Sequence, residues 1–135
     1  MVKEATLPLE EIVKAIQDKK GFNILVLDVQ EISSLTSYFV IAEGRVERHL
    51  KAISDEVLDR MAKLGRKPYQ IEGIADGDWL VVDYGDVMVH LFKPAVREKY
   101  GLEEVWRESK IVDLPCIEKG GDPDTIDDTD AINDF

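Results

Sequence analysis

Apolar residues recur at two different spacings along the chain, and these spacings predict the order of its helices and strands. Spacings of three and four residues indicate amphipathic helices. Short runs rich in β-branched and apolar residues indicate strands. The predicted segments are helices over 8–20, 45–64 and within 95–107, and strands over 23–29, 37–43 and 69–73.

The segment GDWLVVDYGDVMVHLFKP, residues 77–94, predicts two more strands joined as a β-hairpin. Side chains alternate between the faces of a strand, so a two-residue turn, at Tyr84-Gly85 or Gly85-Asp86, sorts this hairpin onto two faces. One face is wholly apolar and is expected in the core: Leu80, Val82, Val87, Val89 and Leu91. The other face mixes aromatic, apolar and polar residues: Trp79, Val81, Asp83, Met88, His90 and Phe92.

The order of these elements predicts one domain of the α/β (α+β) class, with a single mixed five-stranded sheet flanked by helices. If strands 37–43 and 69–73 are parallel, the helix between them makes a right-handed crossover. We assign 1–110 to this domain. Proline, glycine and acidic residues dominate after it, so 111–135 is expected to form a mostly disordered acidic tail.

The amino-acid composition limits the kinds of function that the protein can have. The chain has 135 residues, a net charge of −11 and a single cysteine, Cys116, which excludes an internal disulfide and a cysteine metal site. No apolar run is long enough to span a bilayer, and the start lacks a signal or transit pattern, which favours the cytoplasm. An acidic body suits a basic protein partner better than a nucleic-acid backbone.

The mixed face of the hairpin has three interpretations. It is a covered sheet surface in which His90 and Asp83 are structural, or a protein-binding surface with aromatic residues at its centre, or a catalytic site. For catalysis, Asp76, Asp78 and Asp83 would hold magnesium for nucleotidyl transfer. However, the turn AEGRVERH before the long helix lacks a Gly-Ser phosphate cradle. His49, on the charged side of that helix, is expected in solvent.

Two strings, LDVQEISSLTSYFVIAEG and WLVVDYGDVMVHLFKPAVREKYGLEEVW, closely resemble the Iojap-like ribosomal silencing factor family, often called RsfS, over about residues 7–107. The resemblance implies a fold related to nucleotidyltransferases but without their catalytic site, and no cofactor or metal. It implies a non-enzymatic translational repressor. Such a protein binds the large ribosomal subunit through universal ribosomal protein L-fourteen and blocks small-subunit joining when nutrients are scarce.

Two alternatives stay open beside repression. A large-subunit assembly factor would bind at the same place, and a magnesium-dependent nucleotidyltransferase-like enzyme is the less favoured alternative. The implied protein has no nucleic-acid specificity and no membrane contact. It is a monomer on the ribosome, and an exposed apolar sheet face allows a homodimer when it is free.

Matching the family's motifs, W-x-L/V-x-D-Y-G-D-x-x-V-H-x-F and R-x-x-Y-x-L-E-x-x-W, gives the residues expected to form or support the partner contact. They are Trp79, Asp83, Tyr84, Asp86, His90, Phe92, Arg97, Tyr100 and Glu103. The stretch Glu43–His49 departs from the family pattern. It lacks the usual serine at the start of the long helix, which weakens the helix cap by about 1 kcal/mol.

Overall fold

The computed structural model describes residues 2–74, 77–99, 107, 109–112 and 114. These residues form a mixed sheet flanked by helices, as predicted, but the sheet has six strands rather than five. The helices are α1 (Val2–Asp18), α2 (Glu47–Lys63) and α3 (Pro94–Lys99). The strands are β1 (Phe22–Asp28), β2 (Tyr38–Glu43), β3 (Gln70–Ile74), β4 (Trp79–Asp83), β5 (Val87–Phe92) and β6 (Lys110–Ile111).

The strands lie in the order β3-β4-β5-β2-β1-β6. The central pair, β2 and β5, is parallel, and every other neighbouring pair is antiparallel. Strand β3 therefore runs parallel to β2, which is the condition under which a right-handed crossover is expected, but two strands separate them. Helix α2 makes this connection and packs on both intervening strands, β4 and β5.

Helices α1 and α2 cover one face of the sheet and form the main core with it. Leu9, Ile12, Leu50 and Ile53 are almost completely buried there. Arg60 of α2 also joins the two helices, through ion pairs with carboxylates of both. Among the described residues, no helix has both the length and the apolar character needed to cross a membrane.

The ends of the elements differ from the predicted ones. Helix α1 begins six residues earlier than expected, so Pro8 lies inside it rather than in its first turn. Strand β6 lies at the edge of the sheet beside β1, and Leu114 beyond it is buried in the main core. Apart from Ile111, Val112 and Leu114, the residues of 111–135 lie outside the described part of the chain, so the assignment of an acidic tail stays a prediction.

The prediction that His49 lies in solvent is wrong, since only 2% of this residue is exposed. Its Nδ1 accepts a hydrogen bond from the backbone N–H of Arg45 at 2.9 Å, and its Nε2 lies 2.6 Å from the carbonyl oxygen of Lys19. Because Nδ1 accepts, a neutral ring donates from Nε2. Burial lowers the pKa of His49 and favours this neutral form. The imidazole thus joins the start of α2 to the end of α1.

The start of α2 has the weak cap that the sequence predicts. Its N-cap residue is Val46, which makes no side-chain capping bond within the described structure. An acidic residue, Glu47, stands in the first turn, where the helix dipole favours negative charge. The bond from Arg45 to His49 holds the preceding turn in place of the missing serine.

Candidate protein-binding surface

The hairpin of β4 and β5 closes through a two-residue turn. Trp79 lies opposite Phe92 and Asp83 opposite Met88, and the N–H of Tyr84 donates to the carbonyl of Val87 at 2.9 Å. The turn residues are therefore Gly85 and Asp86, and Gly85 has a positive φ of +89°. This register confirms the predicted sorting of the hairpin onto two faces.

The face of the sheet away from α1 and α2 is called here the second sheet face. It is mainly apolar, and Val96 of α3 packs against it. Some of its side chains are fully buried and others are half-exposed, so the face is partly open. Its residues on the four central strands are Leu25, Leu27, Phe39, Ile41, Glu43, Trp79, Val81, Asp83, Met88, His90 and Phe92, and Val29 follows directly after β1.

A hydrogen bond between Trp79 and His90 lies within this face. The indole Nε1–H donates to His90 Nδ1 at 3.2 Å, and the two ring centroids are 6.0 Å apart. Phe39 meets the imidazole edge to face, with centroids 4.8 Å apart. An indole N–H can only donate, so Nδ1 must be the acceptor and a neutral ring carries its proton on Nε2.

The other ring nitrogen of His90 is buried. Among the described residues, Nε2 has no hydrogen-bond partner. Burial lowers the pKa of His90 to about 4, against the opposing effect of the Asp83 carboxylate. The imidazole is consequently neutral at ordinary pH, and its Nδ1 remains an acceptor for Trp79.

The two aspartates at the turn play different parts. Asp83 Oδ1 accepts a hydrogen bond from the N–H of Gly85 at 2.7 Å, so this carboxylate stabilises the turn. Asp86 is 55% exposed at its side chain and pairs with Arg66, with Oδ1 and Nη2 2.5 Å apart. Asp86 therefore has the more exposed of the two carboxylates, and it lies in the turn of the hairpin.

Tyr84 and Phe92 lie in the interior, where 4% and 0% of each residue is exposed. They support the hairpin from within rather than offer a contact surface. Burial raises the pKa of the Tyr84 hydroxyl to about 12, although the nearby Arg66 guanidinium opposes this shift. Arg97 lies in α3 without a described side chain. Tyr100 and Glu103 lie outside the described residues.

A polar cavity of about 380 Å³ opens beside the turn, between the loop 30–37 and Gly85-Asp86. Leu35 on its rim is 87% exposed. No binding residue was expected in this loop. The sequence feature that marks it is the run of serine and threonine in QEISSLTS, and these four serine and threonine residues line the cavity.

The aspartates of the magnesium hypothesis do not converge. Asp78 precedes β4 and pairs with Lys93 at 2.8 Å, whereas Asp83 ends β4 and is bonded within the turn. Five residue steps along a strand separate the two by about 16 Å. Asp76 lies outside the described residues. Within the described ranges, no group of three or more His, Cys, Asp or Glu side chains is arranged to hold a metal ion.

The chain is similar to known proteins over most of its length. The family model described as "Ribosomal silencing factor during starvation" matches residues 3–134. The ribosomal silencing factor RsfS of Bacillus subtilis is 36% identical over 100 residues, which are 74% of this chain and 85% of that protein.

Two further relatives extend the comparison. A crystal structure of a Chromobacterium violaceum protein has a TM-score of 0.70 and 32% identity, and it covers 84% of this chain and 92% of its own. The mouse protein "Mitochondrial assembly of ribosomal large subunit protein 1" is 34% identical over 105 residues, 76% of this chain and 46% of the mouse protein. Since the family model spans nearly the whole sequence and both sequence and fold relatives agree, the chain belongs to the RsfS family of ribosomal silencing factors.

Proposed function

We propose that this protein binds the large ribosomal subunit through universal ribosomal protein L-fourteen and prevents the small subunit from joining. Its family gives it a ribosome-associated role in silencing or assembly. The observation that carries the proposal is the partly open second sheet face, on which half-exposed Trp79 is hydrogen-bonded to His90.

The composition of this face suits a protein partner. Trp79, Phe39 and Met88 are half-exposed, and aromatic residues and methionine are enriched at the centres of protein interfaces. Glu72 of β3 is exposed and pairs with Val81 in register, so its carboxylate lies on the second sheet face. The carboxylate of Asp86 is exposed at the hairpin turn. Acidic groups around an apolar centre complement a basic ribosomal protein.

To block subunit joining, the bound protein has to occupy space and does not have to catalyse a reaction. A stable complex of standard size buries roughly 800 Å² on each partner. The bound protein then only has to occupy space that the small subunit needs, so no nucleophile, metal or cofactor takes part. The net charge of −11 repels ribosomal RNA and favours docking on protein. We place this action in the cytoplasm, with one copy bound per ribosome, and the same face would pair two free copies.

Assembly of the large subunit is the second candidate, and the name of the mouse relative favours it. Both functions would use one docking surface, so they differ only in what binding does to joining. A sucrose-gradient experiment with purified subunits separates them. Silencing predicts that the protein sediments with the large subunit and that the joined-ribosome peak shrinks as protein is added.

The other outcomes of the gradient are equally informative. Sedimentation with the large subunit without any change in joining would support assembly instead. A protein that stays at the top of the gradient would contradict both functions. Large subunits lacking protein L-fourteen provide the control for the partner, because they should not bind the protein.

A further inference from the structure

The packing of the second sheet face does not by itself explain why a histidine occupies position 90. His90 lies on β5 in register with Ile41 of β2 and Val81 of β4, so apolar residues flank it on both neighbouring strands. Its Nε2 is buried without a partner among the described residues. An unsatisfied buried donor opposes folding. A phenylalanine at this position would fill a similar volume and avoid that loss.

What an imidazole supplies, and a phenyl ring does not, is an acceptor for the indole N–H of Trp79. Trp79 is half-exposed, so a partner that docks on the second sheet face would bury more of its indole. A bond to His90 Nδ1, 3.2 Å away, keeps the N–H satisfied when the indole becomes buried in a complex.

We propose that His90 is a positioning residue for binding, whose Nδ1 holds the Trp79 indole in the orientation that the partner on the large subunit contacts. This inference rests on the proposed function. Fixing a large aromatic side chain before docking lowers the entropy lost on association. The T-shaped contact with Phe39 in turn fixes the imidazole. The three rings thus form one preorganised unit on the second sheet face.

A double-mutant cycle on the full chain tests this role. The variants are His90→Phe, Trp79→Phe and the double substitution, and the readout is the Kd for purified large subunits. His90→Phe should raise Kd about tenfold, the effect of losing one neutral hydrogen bond, without lowering Tm. In the Trp79→Phe background, which has no indole N–H, the same change at position 90 should leave Kd unaltered.

Two further variants distinguish loss of the Trp79–His90 hydrogen bond from loss of folding. His90→Gln offers a carbonyl oxygen to the indole and should restore much of the affinity lost in His90→Phe. Val89→Ala, on the helix-covered face next to His90, should lower Tm and leave Kd unchanged. A tenfold loss of affinity that persists in the Trp79→Phe background, or wild-type affinity in folded His90→Phe, would overturn the positioning role.

A second readout keeps this inference separate from the proposed function. In ¹H–¹⁵N spectra of the free protein, the indole resonance that disappears in Trp79→Phe belongs to Trp79. Its exchange with water should be slow in the wild type and at least tenfold faster in His90→Phe. Fast exchange in the wild type overturns the inference even if the protein binds ribosomes. Slow exchange together with no large-subunit binding would overturn the proposed function and leave His90 as a structural partner of Trp79 alone.

Discussion

The ring of Tyr69 packs directly over Gly85, so that a Cβ atom at position 85 would lie 2.5 Å from Tyr69 Cε2. The N–H of Tyr69 donates to the carbonyl of Asp83 at 2.8 Å, which fixes the backbone of Tyr69 beside the turn, while 81% of the residue is exposed. Gly85 also has a positive φ. The positive φ therefore favours glycine in this turn, and a Cβ atom there would also displace the exposed Tyr69 ring.

Replacing Gly85 by alanine should lower the free energy of unfolding by about 2 kcal/mol, the range expected for a strained backbone position with a new steric clash. Urea unfolding measures this. In a Tyr69→Ala background, Gly85→Ala should destabilise the protein less, because the steric part of the loss is absent. Gly73→Ala in β3 is the matched control, since a Cβ there meets no atom within 4 Å in the described structure. Equal effects at positions 73 and 85 would contradict the assignment.

Tyr84→Phe should leave stability unchanged or raise it by up to about 1 kcal/mol. Among the described residues, the buried Tyr84 hydroxyl has no hydrogen-bond partner, so removing it removes an unsatisfied group. Binding to the large subunit should also be unchanged, because Tyr84 is interior. Thermal unfolding and the gradient experiment check the two statements. A binding defect in a stable Tyr84→Phe protein would show that the hydroxyl reaches the partner.

Asp86→Ala should weaken large-subunit binding roughly tenfold at low salt, and less at high salt, because an outward carboxylate meets basic groups of the partner. Arg66→Ala is the matched control. It breaks the same exposed ion pair but leaves the carboxylate in place, so affinity should hold or rise.

Asp83→Asn separates turn stability from binding. Its carboxylate accepts the Gly85 N–H, so the amide should cost about 1 kcal/mol of stability with little change in affinity. Titration of labelled protein with large subunits measures the affinity, and urea unfolding measures the stability. A large loss of affinity in Asp83→Asn, with no loss in Asp86→Ala, would contradict these roles.

The two histidines should make stability depend on pH. His90 has a pKa of about 4 in the folded protein and near 6.5 when unfolded. As pH falls from 7 to about 5.5, the unfolded chain takes up a proton that the folded chain does not. Stability from His90 should therefore fall by about 1 kcal/mol over this interval. The lowered pKa of His49 acts in the same direction.

Urea unfolding at the two pH values, in the wild type and in His90→Phe, measures this loss. The variant should retain only the part of the pH dependence that comes from His49 and from other groups. The chain has no third histidine that could replace it. An identical pH dependence in both proteins would mean that His90 is solvated in the folded state.

The sequence was most informative where a short-range rule fixes the geometry. Alternation along 77–94 placed Leu80 and Val89 in the core and Trp79 and His90 on the other face, because side-chain direction in a strand reverses at every residue. The same rule gave the two-residue turn. It did not reveal the bond between Trp79 and His90, which depends on the rotamers of two side chains eleven positions apart.

Features set by distant contacts were missed. His49 was assigned to solvent from its charged neighbours, although it lies three residues after Val46 and four before Ile53, on the apolar stripe of α2. Its acceptor, the Lys19 carbonyl, belongs to another helix end thirty positions away. Strand β6 has only two residues, Lys110 and Ile111, which is too short for any periodic pattern.

The parallel pairing of β2 with β5 also governs the order in which the protein can acquire its structure. This pairing joins positions 38–43 to 87–92 at the centre of the sheet. During synthesis, β1, β2 and α2 emerge well before their central neighbour exists. Contacts between segments so far apart in sequence form slowly, because a long loop must close first. The hairpin that carries Trp79 and His90 is local and can form early, but it becomes part of a rigid surface only when β5 inserts beside β2.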